Sequence, residues 1–90
     1  MKMDKNVTAK PNIKSGRYRH YKGRDYEVFG LVRHSESEEW LVHYRTLYGD
    51  FSHWVRPYAM FTEDIVIDGV AQPRFAYINN QDVIIKINNK

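Results

Sequence analysis

Ninety residues with no cysteine describe one small domain in which neither a disulfide framework nor a thiolate metal site is possible. Folding at this size removes only roughly 60% of the chain's surface from water, so the 13 aromatic side chains must supply much of the core. The net charge of +3 is uneven: residues 1–24 sum to +7 and residues 25–90 to −4, a front-loaded pattern that suits an arm meeting polyanions.

Residues 1–14 lack periodicity and contain Pro11, and they read as a mobile basic tail ahead of a single domain over residues 15–90. The opening MKMDKNVTAK has charge but no apolar segment, and the longest aliphatic runs are three residues. Neither a signal peptide nor a membrane span is expected, and the cytoplasm is the expected compartment. From Gly16 the chain alternates, with the turn chemistry of Lys22-Gly23-Arg24-Asp25 between two tyrosine-rich strands. Tyr26, Val28 and Val32 fall on one face of the second strand and Phe29 and Leu31 on the other, with Gly30 as a bulge or bend. His34 to Glu39, HSESEE, reads as a solvated loop.

Trp40 to Pro57 reads as the central hairpin, turning at Gly49-Asp50 with glycine supplying the positive φ of a two-residue type II′ turn. That loop length sets Arg45 across from Trp54, Tyr44 across from Val55 and His43 across from Arg56. Val42, Tyr44, Phe51 and Val55 then face the core, and His43, Arg45, Trp54 and Arg56 face outward. Pro57 ends the strand, and Tyr58 to Phe61 fit one 3₁₀ turn whose Met60 and Phe61 plug an open end of the sheet. Asp68-Gly69 marks a further hairpin, Pro73 an edge or irregular strand, and Val83 to Ile87 a last strand whose bare edge suits pairing with a second copy in a homodimer. The pattern predicts an all-β fold, a small SH3-like barrel or roll of five to six antiparallel strands with one 3₁₀ turn.

Five motifs, Gly16-x-Tyr18-Arg19-His20-Tyr21-Lys22-Gly23, His34-Ser35-Glu36, Tyr44-Arg45-x-Leu47-Tyr48-Gly49, Trp54-Val55-Arg56-Pro57-x-x-Met60-Phe61 and Gly69…Pro73-Arg74-Phe75, run in order over residues 13–75. Together they resemble a family of small bacterial proteins known as domain of unknown function 1653. The resemblance implies a β-rich, SH3-like cytoplasmic domain and brings no biochemical activity with it. Trp40, His43 and the strand after Ile78 depart from the family's usual form.

His34, Ser35 and Glu36 are the residue types of a hydrolytic triad, but neighbours in an extended chain point to opposite faces, so no enzyme is inferred. Scattered histidines without the spacing of a known site assign no metal, and no phosphate-binding glycine loop or other cofactor motif occurs. Tyr18, Tyr21, Tyr26, Tyr44, Tyr48 and Tyr58 offer stacking surfaces for bases or, equally, core packing. Arg56 suits phosphate or base contact, or a salt bridge to Glu36, Glu38 or Glu39. The candidate ligand-binding set is Arg19, Lys22, His34, Glu36, Arg45, Trp54 and Arg56. The reading is a non-enzymatic module for nucleic acid or another polyanion, with a protein- or peptide-binding aromatic groove as the alternative.

Overall fold

The computed structural model describes residues 9–78. It contains strands β1 (Gly16–His20), β2 (Asp25–Arg33), β3 (Trp40–Thr46) and β4 (His53–Pro57), a single helical turn α1 (Tyr58–Phe61), then β5 (Asp64–Ile67), β6 (Val70–Pro73) and β7 (Phe75–Tyr77). The all-β expectation holds, with seven strands among the described residues where five or six were expected. They form a five-stranded antiparallel sheet in the order β4-β3-β2-β1-β7 and a separate β5-β6 hairpin, and the large sheet does not close into a barrel. The turn α1 is α-helical rather than 3₁₀, because the Thr62 amide reaches back four residues to the Tyr58 carbonyl at 3.0 Å. The strand expected over Val83 to Ile87, and the homodimer contact with it, lie outside the described residues.

Local chemistry accounts for the turns. The Gly23 amide bonds the His20 carbonyl at 2.7 Å to close β1 onto β2, and Asp68 and Gly69 both take positive φ between β5 and β6, as a tight hairpin demands. In β2 the pairing slips between Val28 and Gly30, leaving Phe29 as the extra residue of a bulge. The bulge reverses the alternation, so Leu31 packs against the core while Val32, expected on the face of Tyr26 and Val28, lies on the other and is exposed.

The central hairpin differs from expectation in register. The Tyr48-to-Phe51 turn around Gly49-Asp50 does form, with Gly49 at φ 62° and the Phe51 amide on the Tyr48 carbonyl at 3.1 Å. However, the first rung is Thr46 N–H to the Ser52 carbonyl, and the Leu47 amide bonds Asp25 instead. The loop therefore holds residues 47–51, an odd number, and every pair moves by one: Tyr44 faces Trp54, Val42 faces Arg56, His43 faces Val55 and Arg45 faces His53. With a side-chain period of two, this turns β4 over. Trp54 and Arg56 join the face of Val42 and Tyr44, while Val55 and Phe51, expected inside, are about half exposed.

The core lies on that inner face, where Tyr18, Val28, Val42, Tyr44, Phe61 and Phe75 are buried together. Phe61 of α1 and Phe75 of β7 stack with ring centroids 4.1 Å apart and planes 7° apart, and Tyr18 meets Phe61 edge-on at 5.5 Å. Residues 9–14 lie against the domain. Ile13 packs on the core, and the Tyr18 and Tyr58 hydroxyls donate to the Lys14 and Asn12 carbonyls at 2.7 and 3.2 Å.

Phe61 is 1% exposed, so Phe61→Ala leaves a cavity under the sheet and is expected to cost about 3–5 kcal/mol. Phe61→Leu, which keeps most of the volume, is expected to cost less. Urea unfolding curves for the two variants give both values, and equal losses would contradict the packing described.

Candidate functional site: an arginine in an aromatic cleft

The turned-over β4 builds a cleft of about 340 Å³ at the end of the inner face where β3 meets the 47–51 loop. Tyr26 of β2, Tyr44 and Thr46 of β3, Tyr48 of the loop, and Trp54 and Arg56 of β4 line it. Because β4 is the edge of the sheet, Trp54 stands there as a wall and keeps 55% of its surface exposed.

The walls are fixed by their own polar tips. The Tyr26 and Tyr48 hydroxyls share a hydrogen bond at 3.0 Å, the Trp54 indole donates to Ser52 Oγ at 2.9 Å, and Thr46 Oγ1 donates to the Tyr48 carbonyl at 3.0 Å. Tyr26 also meets Tyr44 and Tyr48 edge-on at 5.5 and 5.6 Å. Burial, and then the bond to Tyr48, push the Tyr26 phenol up to about 12.

Arg56 is the charged element. Its guanidinium lies 5.5 Å from the Phe75 ring centroid and donates through Nη1 to Met60 Sδ at 3.7 Å, while the buried Nε has no hydrogen-bond partner. The ion pairs among the described residues are Arg17 and Arg19 with Asp25, Arg33 with Glu38, Arg45 with Glu27 and Arg74 with Glu63. Arg56 is in none of them, so the salt bridge to the 34–39 loop does not form, and Glu38 is taken by Arg33. The Arg56 charge also acts on its neighbour: burial first, then Arg56, hold the His20 imidazole below its ordinary value. Arg24 lies 4.4 Å from the Tyr48 ring centroid, extending positive charge past the cleft. Asp50, on the rim, accepts the Ser52 amide at 3.1 Å and disfavours an anion at that end.

The expected ligand-binding residues divide. Trp54 and Arg56 come together in the cleft. Arg45 is on the opposite face, its Nε donating to Glu27 at 2.8 Å, because the register shift separates it from Trp54. Arg19 grips Asp25 at 2.7 Å, and Lys22 sits at the β1–β2 turn, 5.8 Å from the Tyr21 ring centroid. His34 and Glu36 lie in the exposed turn at the other end of β3, where His34 Nδ1 accepts the Glu36 and Ser37 amides at 3.0 and 3.2 Å. That pattern holds a turn and sets up no catalytic relay. Of the six tyrosines, Tyr26, Tyr44 and Tyr48 line the cleft, Tyr18 is in the core, Tyr58 holds residue 12 and Tyr21 is exposed at the β1–β2 turn. Sequence reasoning did not single out Phe75 as a neighbour of the site, because only the β1–β7 pairing brings it beneath the cleft.

Among the described residues no group of three or more His, Asp or Glu side chains is placed to hold a metal, and no helix is long and apolar enough to cross a membrane.

An open antiparallel sheet with one helical turn under it and an arginine set among aromatic rings at its edge defines a small β domain with a preformed surface cleft. The family model described as "Protein of unknown function (DUF1653)" matches residues 16–77, and the chain belongs to that family. It is similar to the crystal structure of a protein of the same family from Bordetella bronchiseptica, with 35% sequence identity and a TM-score of 0.72 over 80% of this chain and 95% of that one. No curated protein matches the chain.

Two pH dependences follow. Hydrogen bonds from Arg19 and then Arg17 hold the Asp25 carboxyl below its ordinary 3.8, outweighing partial burial. Its stabilising contribution is therefore complete above that value and lost as pH falls through the lower folded value. Asp25→Asn is expected to be less stable than the parent at neutral pH, with the gap closing in acid, as denaturant midpoints measured down the pH scale would register. Tyr26 has the opposite sign: its contribution is intact below 10.0 and lost as pH rises toward about 12. Ultraviolet phenolate titration should find one tyrosine ionising last, and Tyr26→Phe should remove it.

Proposed function

We propose that this domain is a cytoplasmic, non-enzymatic module that binds single-stranded nucleic acid through the cleft. The observation that carries the reading is Arg56, a guanidinium without a carboxylate partner inside a wall of π-faces. A ligand that satisfies both features presents a flat ring and a nearby anion, as a nucleotide does. Exposed Trp54 is the surface on which a base would stack, worth roughly 1–3 kcal/mol by truncation, and Arg56 is the contact for the adjoining phosphate. Arg24 and Lys22, each held against a tyrosine rather than an acid, continue the positive track along which the backbone would run. Asp50 leaves the loop end of the cleft to the base.

A second reading rests on β4 itself. Among the described residues it is an unpaired edge with Trp54 and Val55 half exposed, and an extended peptide could add to it as a further strand. Salt separates the two readings, since counterion release makes nucleic-acid binding weaken steeply with ionic strength while strand addition is nearly indifferent.

Tryptophan fluorescence of the Trp40→Phe protein, titrated with short oligonucleotides, should report Trp54 alone. Binding is expected to fall with salt. Arg56→Ala should reduce the salt slope by about one unit, and Trp54→Ala, followed by the anisotropy of a labelled oligonucleotide because it lacks the reporter, should lower affinity at an unchanged slope. Undetectable binding at about 50 mM salt and near-millimolar oligonucleotide would end this reading.

A further inference from the structure

The outer face of the sheet holds a second arrangement, independent of the cleft. His43 of β3 and His53 of β4 are diagonal neighbours across the hairpin, and their Nε2 and Nδ1 atoms lie 3.0 Å apart in a shared hydrogen bond. Phe29, the extra residue of the β2 bulge and on the face opposite Val28, backs both rings. Its centroid is 4.8 Å from that of His43 and 5.3 Å from that of His53, the second pair parallel within 13°. His53 is exposed and His43 half-buried, so the pair is braced by Phe29 and open to solvent.

We propose that His43 and His53 form a two-nitrogen chelate for a divalent transition metal that favours ligands at right angles, copper(II) above all. Two nitrogens each about 2.05 Å from a metal lie about 2.9 Å apart at 90° and about 3.3 Å apart at the tetrahedral angle. The shared proton holds the pair at 3.0 Å, so replacing it by a metal at 90° needs almost no change in separation, whereas the tetrahedral angle needs the rings to part by about 0.3 Å; the first is the angle of square-planar and tetragonal sites, where copper(II) and nickel(II) are at home and zinc is not. The hydrogen bond already requires one of the two ring nitrogens to be unprotonated, its lone pair accepting from the other ring. A neutral imidazole can move its proton to the other ring nitrogen, so the second lone pair becomes available with no net loss of a proton. Each lone pair then tilts about 45° from the N···N line toward the shared vertex, a movement that the solvent side of both rings permits. Water fills the remaining positions, because Glu27, the nearest outward-facing carboxylate on β2, is engaged by Arg45.

The test uses the full chain and copper(II) alone. Electron paramagnetic resonance of the loaded protein should show two imidazole nitrogen ligands, and tryptophan fluorescence should be quenched, since Trp54 adjoins His53 in the chain. His43→Ala and His53→Ala should each weaken copper binding by about tenfold or more, with folding checked by circular dichroism. His20→Ala and His34→Ala, which cover the other two histidines, should leave it unchanged. Copper(II) should bind about tenfold or more tighter than zinc(II). Should the His43→Ala and His53→Ala proteins, still folded, bind copper as the parent does, or should the resonance show a single nitrogen, the site is refuted. Trp54→Ala, which damages the cleft, should leave the two-nitrogen signal in place and so keeps the outcomes for the two sites separate.

Discussion

The hydrogen bond from the Leu47 amide to the Asp25 carbonyl is the constraint on which the aromatic cleft depends. It keeps Leu47 on the β2 side of the sheet after β3 has ended, so that the connection to β4 closes only at Ser52. A loop of odd length follows, and with it the parity of every residue in β4. Had the chain turned at once around Gly49-Asp50, Trp54 would stand beside Arg45 on the outer face and no cleft would exist. One backbone bond thus decides whether Arg56 faces solvent beside a histidine or sits among aromatic rings above Phe75.

The cleft and the core are continuous, which explains how so small a domain can hold a defined site. Phe61 and Phe75 stack beneath the sheet, Tyr44 rests on both, Tyr26 meets Tyr44 and Phe75 edge-on, and Tyr48 closes the series at the rim. The rings at the buried end are held by packing, and those at the open end by hydrogen bonds between their polar tips. Each added ring contributes area with few rotatable bonds, so the wall is rigid without a large interior. Arg56 is tolerated in this setting because its guanidinium lies over the Phe75 ring and its charge remains near water.

The two irregularities set which side chains reach which face. The odd 47–51 loop brings Trp54 and Arg56 inward and His53 outward beside His43, and the Phe29 bulge turns Leu31 inward onto the core. Strand β3 links them, carrying Tyr44 to one side and His43 to the other. A two-residue hairpin would have turned Trp54 and Arg56 outward and separated His53 from His43, which fits the tendency of such irregularities to re-aim side chains.

Much of the local structure was legible in the residues themselves. Glycine and aspartate at 22–25, 49–50 and 68–69 dictated where the chain turns, because positive φ is cheap only there, and the missing helical period dictated an all-β domain. The five motifs led to the right family. Trp54 and Arg56 also stood out by residue type, as an indole and a guanidinium on a strand otherwise built for packing. Which way they face was decided only in three dimensions. A two-residue turn and a five-residue loop can use the same Gly49-Asp50 turn, and the choice between them rests on whether Leu47 pairs with β2 or β4, a contact between segments more than twenty residues apart. The approach of Phe75 to the cleft and the meeting of His43 with His53 have the same origin: each depends on a strand register, and a register is a property of the assembled sheet.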